Sequence, residues 1–93
     1  MRVDWDPAKA RANQLKHGVR FSDAEGVLFD PLAITREDVT SISERRFVTI
    51  GADHIGRIVV VVYAQRGGYF RLISARQATR KERHYYAEGI RLQ

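Results

Sequence analysis

The side chains able to do chemistry gather at three places in the chain. The last third carries Arg66, Arg71, Arg76, Arg80, Lys81, Arg83 and Arg91 against only Glu82 and Glu88. Glu44-Arg45-Arg46 sets a carboxylate beside two guanidinium groups, and His17 stands between Lys16 and Gly18. Six of the seven C-terminal cations are Arg, whose planar fork suits two-pronged contact with phosphate or carboxylate. Such a patch fits a polyanion (RNA or DNA) or an acidic protein partner. A solvated basic helix that only keeps the protein soluble is the competing reading.

Composition removes several other chemistries. There is no cysteine, so disulfides, Cys-ligated zinc, iron–sulfur clusters and thiol catalysis are all excluded. His17, His54 and His84 lack the spacing of a metal site, and no metal or other cofactor is expected. Gly67-Gly68 follows a strand but opens a hairpin, which does not match a phosphate loop. The formal net charge is +5. Residues 1–65 balance nine basic against nine acidic side chains, so the whole excess lies beyond them. Segment 21–44 leans the other way, with six acidic residues against Arg36 alone.

The elements that must position these groups fit one small domain. At 93 residues the chain buries roughly 60–65% of its unfolded surface, enough for one modest core. With 44% apolar and 29% charged residues it is too hydrophobic to be a disordered tail. No apolar run approaches the roughly 18 residues of a membrane span. No apolar segment follows the N-terminal Met1-Arg2-Val3-Asp4-Trp5-Asp6 as a secretory signal would require, so a cytoplasmic location is expected.

Asp6-Pro7 predicts a helix start and Gly18 its end, with Ala8, Ala12 and Leu15 as a thin apolar stripe. Trp5, directly before the Asp6 cap, reads as a core or staple residue. Ser22 and Glu25 have capping-box spacing and predict a second short helix that Asp30-Pro31 ends. Residues 32–44 read as an extended stretch and then a loop. Strands are predicted over 46–50, 58–63 and 69–75, the middle one central because Val59-Val60-Val61-Val62 suits burial on both faces. Thr79 and Glu82 again have capping-box spacing and open a last helix reaching Gly89. The order β-α-α-β-β-β-α predicts an α+β fold, a small antiparallel sheet of three to four strands flanked by helices.

These residues resemble a known family. Trp5-Asp6-Pro7, Lys9-Ala10, Asn13, Lys16-His17-Gly18-Val19 and Phe21 are similar to the opening of the BrnT family of bacterial type II toxins. Glu44-Arg45-Arg46-Phe47 with Ile50-Gly51 resembles its middle signature. Arg71-Leu72-Ile73-Ser74-Ala75-Arg76, Ala78, Glu82 and Tyr86 resemble its C-terminal one. The match spans about residues 3–88 with its three pieces in order. The resemblance implies a fold like the RelE group of toxins and a ribonuclease that blocks translation. It also implies a cognate antitoxin, BrnA, through which the complex contacts operator DNA.

Metal-free RNA cleavage needs a base for the 2′-hydroxyl, cations on the scissile phosphate and an acid for the leaving 5′-oxygen. With the resemblance included, Arg71, Arg76 and Arg46 are the expected phosphate clamps. Arg71 and Arg76 are five positions apart, so a regular strand would send them to opposite faces. Both reach one side only if the strand ends or bulges near Ser74-Ala75. His17, at the negative end of a helix, reads as a cap or an acid rather than a base. Glu44 either accepts the proton or orients Arg46. Arg80, Lys81, Arg83 and Tyr86 are expected to bind RNA, Tyr86 by stacking on bases or, alternatively, packing in the core. An antitoxin that silences such a site is expected to lay acidic or apolar residues across Arg71 and Arg76. The reading from a different class is a non-catalytic module that binds nucleic acid or an acidic protein through residues 66–91.

Overall fold

The structure, a computed structural model, describes residues 2–89; Arg91 lies outside them. The chain runs β1 (Arg2–Asp4), α1 (Pro7–His17), α2 (Phe21–Ala24), a 3-10 turn (Glu25–Phe29), β2 (Ile34–Asp38), β3 (Arg46–Ala52), β4 (Ile58–Arg66), β5 (Tyr69–Gln77) and α3 (Arg80–Glu88). The five strands form one sheet in the order β1-β5-β4-β3-β2. The α+β class holds, with a larger and mixed sheet: β1 joins β5 in parallel and the other pairs are antiparallel. The predicted order already begins with a strand, and the added one, β2, lies within the stretch read as extended. β4 is the central strand, as its valine run requires.

One face of the sheet packs under α1 and α2. Val59, Val61, Tyr63, Leu72 and Ala75 meet Val19, Phe21, Ala24 and Val27 there, with Trp5 edge-on to Phe21 at 6.0 Å. The other face is covered at one end, where Tyr86 of α3 packs beside Ile50, Val60 and Ala78.

The caps of α1 form as expected: the Asp6 carboxylate accepts from the Ala8 amide at 2.9 Å, and Gly18 takes φ 70°. Its buried side is a correction, because Leu15 is 90% exposed and Asn13 is the one buried residue of the helix. β1 stops at Asp4, opposite Arg71, and leaves the outer edge of β5 without a strand beyond it. The Asn13 amide closes that edge, donating to Ala75 O at 2.9 Å and accepting from Ala75 N at 3.0 Å. Satisfying two buried backbone groups outweighs a stripe of two alanines and a leucine. The Ser22 cap is a second correction. α2 starts two residues earlier, with Arg20 at the cap position and no side-chain cap, held by burial of Phe21 and Ala24. At α3 the Thr79–Glu82 capping box is present in both directions.

The β4–β5 pairing jumps from Val62–Ser74 to Tyr63–Leu72, leaving Ile73 as an unpaired bulge. Leu72 and Ala75, three positions apart, therefore both enter the first core. Arg71 and Arg76 in turn both fall on the opposite face, where Arg76 pairs with Val60.

Candidate active site

Sheet register aligns Asp38, Arg46, Ala64, Arg71 and Asp4 in one row across all five strands. Arg46 and Arg71 flank Ala64 from either side, about 10 Å apart by strand spacing. Ala64 has no exposed surface, so the longer neighbouring side chains close over it. One step along β4 on the same face stands Arg66. Glu44 joins two of these cations: Oε1 accepts from Arg46 Nε at 3.2 Å, and Oε2 lies 3.1 Å from Arg66 Nη2. The carboxylate is 19% exposed, and its backbone carbonyl is pinned by Ser41 Oγ at 2.6 Å.

Arg71 is held more loosely. Its Nη1 lies 3.5 Å from Asp4 Oδ1, an ion-pair distance. That oxygen is buried and accepts no hydrogen bond among the described residues. Arg2 also faces Asp4, at 3.8 Å, and its guanidinium lies 4.7 Å from the Tyr69 ring centroid. Arg71 thus keeps most of its donors for a ligand, beside the pair that Glu44 bridges. Nothing local marks Asp4 or Tyr69 as site residues, and Arg66 stands out in the sequence only as one cation of the basic last third. Counting by two from Val60 reaches Arg66, but only the register shows that this row meets Arg46 and Arg71.

Arg76 shares the face without joining this cluster. It sits roughly 15 Å along β5 from Arg71. Both its terminal nitrogens are taken by Glu82, Nη1 to Oε1 at 2.7 Å and Nη2 to Oε2 at 2.9 Å. The Arg76 bond outweighs burial and, with the Thr79 amide, draws the Glu82 carboxyl down to about 2. Arg71 and Arg76 thus share a side, as a bulge near Ser74-Ala75 requires, but Arg76 is engaged by Glu82 away from Arg71.

The remaining predicted residues are dispersed. His17 is half-buried at the end of α1, in a concavity on the β5 edge beside Ile73 and Ser74. Arg80 and Lys81 are exposed in the first turn of α3, and Arg83 Nη1 donates to Ala78 O at 2.9 Å. Tyr86 takes the core-packing alternative while staying half-buried: its ring packs on the second core and its hydroxyl donates to Asp30 Oδ2 at 2.6 Å. That bond, with burial, pushes the Tyr86 phenol up to about 12. Burial pushes Asp30 the other way from its bonds, but donors from Ala52, Tyr86 and Leu32 prevail and hold it below its ordinary value.

Among the described residues no three His, Cys, Asp or Glu side chains converge as metal ligands, and no helix is long and apolar enough to cross a membrane. The molecule is a small α+β domain with arginines clustered around a carboxylate on an open sheet face, an arrangement suited to an anionic ligand. Residues 5–82 match the family described as the ribonuclease toxin, BrnT, of type II toxin–antitoxin systems, and the chain belongs to that family. The fold is similar to the crystal structure of the Brucella abortus ribonuclease toxin BrnT, with a TM-score of 0.63 and 26% identity over 86% of this chain and 99% of that one. No curated protein sequence matches significantly. Family membership carries with it an RNA substrate and an antitoxin partner.

Proposed function

We propose that this toxin is an endoribonuclease that cleaves RNA without a metal ion, on the sheet face built around Ala64. The observation that carries the reading is Glu44 held between Arg46 and Arg66, next to the loosely engaged Arg71. Glu44 takes the 2′-hydroxyl proton, and the 2′-oxygen forms a bond to phosphorus. Arg46 and Arg71 hold the phosphate as its charge grows, and Arg66 keeps Glu44 in place. The bond from phosphorus to the 5′-oxygen breaks, leaving a 2′,3′-cyclic phosphate. The leaving oxygen takes its proton from solvent water at the open face, while His17, beyond the β5 edge, lies away from the scissile phosphate. Arg80, Lys81 and Arg83 add phosphate contacts along the flanks.

Cleavage would arrest translation in the cytoplasm until a BrnA-like antitoxin covers the arginines. Operator DNA would be contacted through that antitoxin. Family membership supports this part of the reading. The test is incubation of the purified toxin, freed of antitoxin, with RNA in excess EDTA beside Arg71→Ala. Cleavage by the wild type alone is expected. RNA bound in a salt-sensitive way but left intact, both here and in a translating extract, would establish the binding-module reading instead.

A further inference from the structure

The notch beside the β5 edge has a composition that the site on the sheet face does not explain. It is a cleft of about 240 Å3 between α1 and β5, lined by Lys9, Lys16 and His17 on one side and by Ile73 and Ser74 on the other. Asn13 forms its fixed floor, since its amide is bonded to Ala75 and to Val19 O at 3.0 Å. No carboxylate lines the cleft. Arg46, Arg66, Arg71 and Arg76 each face an acidic side chain. Lys9, Lys16 and His17 make no ion pair among the described residues.

Cations in the last turn complement the helix dipole, which accounts for Lys16 and His17. It does not account for Lys9, two turns earlier on the same side, because that effect fades within one turn. Topology places the cleft beside the proposed site. β1 ends opposite Arg71, so nothing in the sheet screens the edge between Arg71 and Ser74. A strand of RNA gripped by Arg71 meets these lysines as soon as it leaves the face.

We infer that the cleft is a second phosphate-binding subsite, taking a backbone phosphate that neighbours the scissile one. This rests on the proposed RNA-cleaving reading and deepens it. Lysine ammonium groups act there as unpaired point charges.

The test uses a 2′-O-methyl oligoribonucleotide, which cannot be cut by its own 2′-oxygen. Binding is measured against salt for wild type, for Lys9→Gln/Lys16→Gln and for Arg11→Gln/Arg20→Gln. The last pair removes the same charge elsewhere on α1 and the loop after it. The lysine variant is expected to lower affinity and flatten the dependence of log Kd on log salt by roughly 1, while the arginine variant stays near wild type. Equal losses in both variants, or none in the lysine variant, would overturn the subsite. Weaker capture of the antitoxin with RNA binding unchanged would also overturn it, and would give the cleft to the protein partner. Because the oligomer is not cleaved, the slope reads the cleft even if the catalytic reading fails. No binding by the wild type at any salt refutes both.

Discussion

Arg76 and Glu82 meet fork to fork, at 2.7 and 2.9 Å, and the same Glu82 carboxylate accepts the Thr79 amide at 2.8 Å. One carboxylate thus fastens α3 to β5 while closing the helix's own first turn. α3 has no buried residue, so such polar ties carry much of its attachment.

That relationship predicts an acid-sensitive anchor. The Glu82 carboxyl is drawn from its ordinary 4.5 down to about 2, so its stabilisation is complete above about pH 4.5 and is lost as pH falls toward 2. Solvent reaches both partners, which limits the contribution to about 1 kcal/mol. Denaturation midpoints of Arg76→Ala should therefore lie below wild type at neutral pH and converge on it in acid. A constant gap across that range would disprove the anchor.

A second prediction separates the two arginines in the RNA reaction. Arg71→Ala should lower cleavage by about 10²-fold or more, the scale of losing one group that holds growing charge. Arg76→Ala, checked to be folded, should lose far less, because its guanidinium is already occupied. Equal losses would place Arg76 on the phosphate after all.

Glu44→Gln tests the proton acceptor. Gln keeps the shape and one acceptor oxygen but removes the basicity, so turnover should fall by about 10²–10⁴-fold. RNA affinity should hold or improve, since Arg46 and Arg66 are released from a carboxylate. A variant that binds poorly yet turns over normally once saturated would make Glu44 a positioning residue only.

Tyr86 should ionise late. Its phenol is raised from 10.0 to about 12 first by the bond to Asp30, so the stability it contributes is intact below about pH 10 and is lost as pH rises through 12. Phenolate absorbance of Tyr86→Phe should lose a component that ionises near pH 12 in the wild type, and the variant should lose about 1 kcal/mol at neutral pH. A titration curve unchanged by the substitution would contradict the tether.

Asn13→Ala should be among the most damaging changes in α1 although it deletes only a small amide. It strands the Ala75 amide and carbonyl without their partners, at a cost of about 2–4 kcal/mol. Leu15→Ala, on the exposed side, should leave stability within about 0.5 kcal/mol. Chemical denaturation of the two variants decides which side of α1 matters.

Much of this molecule is determined locally and could be read from the chain alone. Asp6-Pro7, Gly18 and the Thr79–Glu82 box act within a few residues of themselves, so helix ends are legible from spacing. The valine run of β4 carries its own central position, because a β-branched strand without polar alternation must be covered on both sides. The three motifs likewise carried the family. Other features depend on partners distant in sequence. Asn13 is buried because β1 ends where it does and leaves the outer edge of Ala75, 62 positions further along the chain, for the Asn13 amide to close. Arg71 and Arg76 share a face because Ile73 drops out of the pairing, which no two-residue period shows. Register alone brings Arg46, Ala64 and Arg71 into one row, and α3 docking alone commits Arg76 to Glu82. Local signals state which side chains are present and how each segment coils or extends. Which of them meet is decided by strand pairing and packing, where one bulged residue reverses the face of everything beyond it.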